Sequence, residues 1–170
     1  MSAIPGDAYG QGIDAFLHLS TTSAGHVKGE SSIPGHEDDI EIQGWSLGVD
    51  ASSAQGTQAR TRRAYTHLQL VKAVDCSSTA LLNALRSNAA VEARLTMRKA
   101  GQGQHDYFKI ELRDARVVSV HLSSGGSGAV VENLALAFRR ISFEYVPQRE
   151  TGQRGGASMF DDEILTEGGS

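Results

Sequence analysis

The sequence predicts a mainly β protein, namely a small closed or nearly closed antiparallel β-barrel with one flanking α-helix. Apolar and polar residues alternate along most of the chain, as Phe108, Ile110 and Leu112 do with their neighbours, and this is the pattern of strands with one buried face. Only one segment has convincing helical spacing. Many strands within 170 residues favour a barrel, because closure removes the unpaired edges that promote aggregation.

The alternation places strands along most of the chain, and glycine clusters at 101–103 and 125–128 provide the turns that antiparallel strands need. The predicted strands are Ile13 to Leu19, Asp39 to Val49, Tyr65 to Val74, Val91 to Lys99, Asp106 to Arg113, Arg116 to Leu122 and Asn133 to Val146.

The predicted helix runs from about Ser78 to Asn88. Leu81, Leu82 and Leu85 fall on one face of it, and Ser77 or Ser78 can cap its start. We therefore expect this face to pack against one side of the barrel.

We divide the chain into a flexible N-terminal extension at residues 1–12, a barrel domain at residues 13–148 and a glycine-rich tail at residues 149–170. The tail has only a short apolar patch and is expected to be mobile when the protein is alone. The segment from Asp50 to Ala64 shows no strong periodicity. A connection of this length in a compact domain is usually functional or disordered.

Composition excludes several classes of function. A formal charge of −4 and a pI near 5.8 argue against a nucleic-acid partner, which requires a basic surface. No apolar stretch is long enough for membrane insertion, and the start of the chain lacks the basic and apolar regions of a signal peptide. The single cysteine, Cys76, suits a protein that folds in the reducing cytoplasm.

An enzyme is the sharpest alternative, because Gly44-Trp45-Ser46-Leu47-Gly48 matches the Gly-x-Ser-x-Gly nucleophile elbow of serine hydrolases. That elbow needs a strand that turns sharply into a helix, whereas the alternation continues through Leu47 and Val49. Asp75 or Asp114 could be combined with His121 in the order of a triad, but such combinations arise by chance in most chains. We therefore predict a non-enzymatic protein with no catalytic residue.

No cofactor or metal is predicted. The run His36-Glu37-Asp38-Asp39 is interpreted as a solvated turn, and the remaining histidines lack the spacing of a zinc site. Cys76 precedes the helix, which could lower its pKa, although a small apolar filler is the favoured interpretation. Trp45 is expected to be a core anchor.

Several short strings at fixed places among these strands together resemble one family, Hcp, the haemolysin-coregulated protein of the bacterial type VI secretion machine. The resemblance extends from about Ile13 to Gln148. The strings that carry it are Val27-Lys28-Gly29-Glu30-Ser31, Glu41 to Gly48, Arg98-Lys99-Ala100-Gly101, Tyr107 to Leu112, Val117 to Val120, Glu132 to Phe138 and Tyr145 to Gln148.

The resemblance implies a structural subunit of the inner tube rather than a catalyst. Members of the family form hexameric rings that stack into a tube, a contractile sheath expels that tube with a spike protein at its tip, and effector cargo travels in the lumen. It implies a protein that is cytoplasmic before firing and is then secreted without a signal peptide. The N-terminal extension and the extra residues Thr21 to Gly25 depart from the family pattern and bear on how rings stack.

The only dense basic cluster, Arg60, Arg62 and Arg63, falls where the family carries an extended loop that contacts the neighbouring subunit. It is therefore the candidate subunit interface, with a solvated loop as the other interpretation. Two alternatives for the whole protein stay open, a monomeric barrel-type secretion chaperone or binding module, and a serine hydrolase that uses Ser46.

Overall fold

The computed structural model describes residues 13–52, 62–99, 105–147 and 155–164. Within these ranges the chain forms twelve strands and one helix. The strands are β1 (Ile13–Thr21), β2 (Gly25–Val27), β3 (Ile40–Ile42), β4 (Gly44–Ser46), β5 (Val49–Ser52), β6 (Arg62–Tyr65), β7 (Leu68–Ala73), β8 (Val91–Lys99), β9 (His105–Ser124), β10 (Val130–Ala137), β11 (Arg140–Tyr145) and β12 (Ser158–Glu163), and the helix α1 is Ser78–Ser87.

Antiparallel pairing joins β1, β8, β9, β10, β7 and β4 in that order. The segment 40–46 then nearly closes the barrel, because its first half, β3, pairs with β1 and its second half, β4, pairs with β7. The change of partner occurs at Gln43, whose backbone N–H donates to the carbonyl of Val71 at 2.8 Å. The nearly closed barrel predicted from alternation is thereby confirmed.

Strand β9 is long enough to serve two parts of the sheet. Its first half pairs with β8 on one side and with β11 on the other, while its second half pairs with β10. The sequence predicts two strands separated near Asp114. That residue has a φ of 49°, so the strand bends there without ending.

The apolar residues predicted to face inward form one core. Leu17, Leu70, Leu95, Ile110 and Leu134 are almost completely buried in it, and burying a leucine or isoleucine contributes about 1.5–3 kcal/mol per side chain. The period-two alternation is thus the direct cause of a barrel with an apolar interior.

Helix α1 begins at the predicted residue and ends one residue early. Asn88 follows it in the left-handed region with φ 52°, and its backbone N–H bonds to the carbonyls of the last turn, which is a common way to end a helix. Leu81 is buried against the core, but Leu82 and Leu85 are exposed. The prediction of one packed leucine face was therefore wrong for these two residues, since only the stripe containing Leu81 and Ala84 reaches the barrel.

The glycine-rich tail was expected to be mobile, but residues 158–163 within it form β12. This strand pairs with β11 over its full length, from Arg140 with Glu163 to Tyr145 with Ser158. Without β12, the outer side of β11 would be an unpaired edge. Residues 1–12 of the predicted extension lie outside the described residues.

Candidate subunit interface

The segment between β4 and β7, predicted as a long irregular connection, contains a separate two-stranded ribbon. Among the residues that the structure describes, strands β5 and β6 pair only with each other, from Val49 with Tyr65 to Ser52 with Arg62. Val49 is 52% exposed, and Arg63 and Ala64 are exposed as well. An isolated two-stranded ribbon is marginally stable in water, so this arm needs support from the rest of the chain.

A polar clip at the base of the arm supplies that support. The Arg63 guanidinium donates two hydrogen bonds to the carboxylate of Asp162 in β12, at 2.7 and 2.8 Å, and the Tyr65 hydroxyl donates a third at 2.7 Å. At the same end of the arm, the Thr66 N–H donates to the Gly48 carbonyl and the Gly48 N–H donates to the Thr66 hydroxyl, each at 2.9 Å. The arm is therefore anchored where it leaves the barrel.

The clip changes the titration of two of its members. The hydrogen bond from Arg63 and, to a smaller extent, the one from Tyr65 hold the pKa of Asp162 below its ordinary value. Burial and, to a smaller extent, the hydrogen bond to Asp162 raise the pKa of Tyr65 to about 12. Both shifts favour the charge states that make these contacts.

The three arginines predicted as an interface are not equivalent. Arg63 pairs with Asp162 of its own chain, so its charge is already compensated without a neighbour. Arg60 lies outside the described residues, and for Arg62 the structure describes only the backbone, which belongs to β6. The contact of this cluster with a neighbouring subunit remains a prediction.

A row of aromatic rings crosses the sheet near the arm. Trp45 stacks on Phe108 with ring centroids 6.4 Å apart, Phe108 on Phe143 at 5.9 Å, and Phe143 contacts Phe160 at 5.6 Å. The two ends of the row are open to solvent, with Trp45 37% and Phe160 48% exposed. The prediction that Trp45 is a core anchor was wrong, because the indole is only partly buried and does not belong to the buried core.

A second polar network joins the segment between β2 and β3 to Arg98, which begins one of the family strings. His36 bridges two carboxylates, with Nδ1 2.9 Å from Asp39 Oδ2 and Nε2 3.1 Å from Asp106 Oδ1. Arg98 donates from Nε to the same Asp106 oxygen at 2.7 Å and from another nitrogen to the carbonyl of Pro34 at 2.8 Å. The network therefore ties the segment between β2 and β3 to β8 and β9.

The neighbours of Asp106 in this network set the pKa of its carboxyl group. Burial alone would raise the pKa of Asp106, but hydrogen bonds from Arg98 and His36 outweigh it and hold that pKa below its ordinary value. His36 contacts one carboxylate through each ring nitrogen, Asp39 through Nδ1 and Asp106 through Nε2. The ring also stacks on Phe16 at 4.4 Å.

Gly29 explains why the string Val27 to Ser31 has its particular form. A Cβ atom at this position would lie 2.3 Å from the backbone oxygen of Asp39, closer than any side chain tolerates. The Gly29 N–H donates to the carbonyl of Asp38 at 2.7 Å, and that of Ser31 to the carbonyl of Asp39 at 3.1 Å. The string thus holds Asp39 in place for its histidine contacts.

A buried charge cluster lies under the start of α1 and was not predicted. Lys72 and Glu132 are both 0% exposed, with Lys72 Nζ 2.9 Å from Glu132 Oε2 and 2.9 Å from Asp75 Oδ1. The Ser78 hydroxyl donates to Glu132 at 2.6 Å. These contacts connect β7, β10 and the helix through one cation.

The residues of the hydrolase alternative are not arranged as a nucleophile elbow. Ser46 ends β4 and is followed by β5, so it does not lie at a turn from a strand into a helix. Asp75 is bound to Lys72, and Asp114 lies 3.9 Å from Arg140. His121 lies in the second half of β9 and is exposed.

Cys76 is neither a buried apolar filler nor a thiol with a lowered pKa. It is exposed rather than an apolar filler, and its thiol donates to the carbonyl of Lys28 at 3.3 Å. Partial desolvation and the charges of Asp75, Glu30 and Asp38 raise the pKa of the Cys76 thiol, which disfavours the reactive thiolate.

Comparison with known proteins agrees with the residues and the fold. The family model described as "Type VI secretion system effector, Hcp" matches residues 16–145. The protein Hcp1 of Pseudomonas aeruginosa is 33% identical over 155 residues, which cover 86% of this chain and 91% of that protein.

Two solved structures share the architecture. A type six secretion system protein superposes with a TM-score of 0.79 at 24% identity and covers 90% of this chain and 96% of its own. Hcp1 from Salmonella typhimurium superposes with a TM-score of 0.70 at 24% identity, covering 89% of this chain and 95% of its own. The family model that matches residues 16–145 and the relative from Pseudomonas aeruginosa at 33% identity show that this chain belongs to the Hcp family of type VI secretion tube proteins.

Proposed function

We propose that the chain assembles into hexameric rings that stack as the inner tube of a type VI secretion machine. In this proposal a contractile sheath surrounds the tube, a spike protein sits at its tip and effector cargo lies in the lumen. The observation that carries the proposal is the Hcp family match across residues 16–145, which spans the barrel and the anchored arm.

The arm formed by β5 and β6 is the proposed contact with the neighbouring subunit. A closed ring needs two different patches per subunit, each of about 800 Å² in a standard interface. The arm stands outside the main sheet, exposes Val49 and is held at its base by Asp162. The open end of the aromatic row at Phe160 adds apolar surface of the kind that interfaces cover.

Within this contact the arginine cluster divides into two roles. Arg63 anchors the arm through Asp162, whereas Arg60 and Arg62 are proposed to meet carboxylates of the adjacent subunit. Opposite charges at the rim of an interface steer association and fix its register.

A pair of charge reversals tests this assignment. We expect Arg60→Glu with Arg62→Glu to lower the ring population without unfolding the barrel, because like charges then meet at the contact. Light scattering gives the particle mass, and negative-stain images show whether rings are present. Circular dichroism checks that the variant retains its strands.

The matched control reverses two exposed arginines outside the arm, Arg86→Glu with Arg113→Glu. A ring that survives in the control and is lost in the arm variant supports the proposal. Rings of unchanged mass in the arm variant would contradict the assignment of Arg60 and Arg62. A wild-type protein that stays monomeric at high concentration would favour the chaperone or binding-module alternative instead.

The proposal also holds that the ring itself catalyses nothing and that the subunit waits in the cytoplasm before it is secreted without a signal peptide. Among the described residues, no helix has the length and apolar character needed to cross a bilayer. Ser46→Ala should leave rings and secretion unchanged, since it removes one hydroxyl from an exposed strand end. Loss of a hydrolytic activity in that variant would count against the structural role.

A further inference from the structure

Two histidines and one aspartate converge beside the segment that joins β2 to β3. One donor atom each from His18, His26 and Asp39 lies within 4.8 Å of the other two. His18 Nδ1 is 2.9 Å from Asp39 Oδ1. The His18 and His26 rings stack with centroids 4.2 Å apart.

The fold brings these residues together from separate parts of the chain. The hairpin of β1 and β2 pairs Ser20 with His26. His18 lies two residues before Ser20 and therefore on the same face of β1, so the His18 and His26 rings lie side by side. Asp39 approaches from the other direction, held by the backbone bonds that join Gly29 and Ser31 to residues 38–39. The three side chains therefore come from β1, from β2 and from the segment that joins β2 to β3.

Asp39 is oriented as a ligand by a neighbour outside the group. It is buried, and its Oδ2 contacts His36 Nδ1 at 2.9 Å, so that Oδ1 is directed at His18. Carboxylate and imidazole ligands of metals are commonly held by such outer contacts. His26 is exposed and leaves a path for an ion from solvent.

We propose that His18, His26 and Asp39 form a binding site for a divalent transition-metal ion of the zinc class. Two imidazoles and a carboxylate are ligands that zinc accepts, and three protein ligands leave a fourth position for water. With metal-ligand bonds of about 2.0–2.2 Å, tetrahedral donors lie about 3.3 Å apart. The three donors lie within 4.8 Å of one another, so the exposed His26 side chain would turn towards the other two on binding, and the bound ion would clip the segment between β2 and β3 onto β1.

Zinc binding to the tag-free full chain, stripped first with a chelator, tests the site. Calorimetric titration should give one Zn²⁺ per chain, and His26→Asn should weaken binding by at least about tenfold, the lower range seen even for residues that only orient a ligand. Zinc should also raise the melting temperature of the wild type and not that of the variant. His26 is exposed, so its replacement should not prevent folding.

His121→Asn is the matched control, because His121 is another exposed histidine and is not one of the three donors. Its zinc affinity should equal that of the wild type. A second variant, His18→Asn, should lose binding as His26→Asn does. The proposal is overturned if the wild type binds no zinc, or if removing His121 lowers the affinity as much as removing His26.

Discussion

The contrast between Trp45 and Lys72 shows how single residues depart from their average behaviour in this molecule. The indole, usually a core group, is partly exposed, whereas the ammonium, usually exposed, is completely buried. Lys72 is tolerated because two carboxylates and a hydroxyl surround its Nζ. Trp45 still contributes through its contact with Phe108, but less than the about 3–5 kcal/mol of a fully buried indole.

Replacing Lys72 with methionine should destabilise the protein strongly. The substitution leaves Glu132 buried without a cation, and its Oε1 already lacks a hydrogen-bond partner among the described residues. Removing one member of a buried pair typically costs about 3–5 kcal/mol. Urea denaturation measures the change in the free energy of unfolding.

Two companion variants test the reason given for that loss. Lys109→Met removes a partly exposed lysine and should cost no more than about 1 kcal/mol. Lys72→Met combined with Glu132→Leu removes both charges and should recover part of the lost stability. If Lys72→Met is as stable as Lys109→Met, the buried pair does not act as described.

At the scale of elements, β12 and the arm are coupled through a single carboxylate. Asp162 belongs to the last strand, yet its three closest donors are on Arg63 and Tyr65 at the base of β6. Residues 99 positions apart therefore fix each other, and the tail has a structural role that its composition does not indicate.

Asp162→Asn should loosen both elements while the barrel persists. The amide cannot form the same charged pair with Arg63, so limited proteolysis should cut β12 and the arm faster than in the wild type. Asp161→Asn, an equal charge change at an exposed position of the same strand, is the control. Equal cleavage of the two variants would show that the clip does not hold the arm.

The clip should also respond to acid in the wild-type protein. Because the folded pKa of Asp162 is depressed, its contribution to stability is complete above the ordinary aspartate pKa of about 3.9. That contribution is lost as the pH falls from there through the lower, folded pKa. Faster cleavage of the arm should therefore begin below about pH 4 in the wild type, and Asp162→Asn should lack this step.

The accuracy of the sequence predictions followed how each element is buried. Strands β1 and β8 and the helix were placed within two residues, because each has an apolar face that meets the core. The ribbon β5–β6 and strand β12 have few buried residues, so no alternation marked them. The prediction of one strand from Asp39 to Val49 missed the change of partner at Gln43, which depends on where β1 and β7 lie.

The polar sites were harder to predict for the same physical reason. Their members are brought together by strand pairing, and neither the distance from Arg63 to Asp162 nor the grouping of His18 with His26 and Asp39 follows from spacing along the chain. The family strings did locate one of these regions, since Gly29 and Arg98 are both needed to hold the segment before β3. The proposed metal site was not expected, because the histidines lack sequence spacing typical of zinc.

At the scale of the whole molecule, the part of the chain that the structure describes is a barrel flanked by α1, and it carries two further additions, the β11–β12 extension and the β5–β6 arm. Both additions join at Asp162, and the barrel itself connects to them through β9 and through the short link from β4 to β5. A stable barrel with exposed additions suits a subunit whose partners are further copies of itself, because the additions can meet neighbours without disturbing the core.

The near closure of the barrel by the segment 40–46 determines where native-state opening should begin. That segment is held by three residue pairs to β1 and three to β7, whereas β1 and β8 share nine. Hydrogen exchange in native proteins proceeds through the least protected cooperative units before global unfolding. We therefore expect the amide protons of β3 and β4 to exchange with deuterium well before those of β8, and equal exchange rates in mass spectrometry would contradict this order. The barrel would then behave as a cylinder with one lengthwise seam, and assembly that covers the seam would slow its exchange without changing any bond inside it.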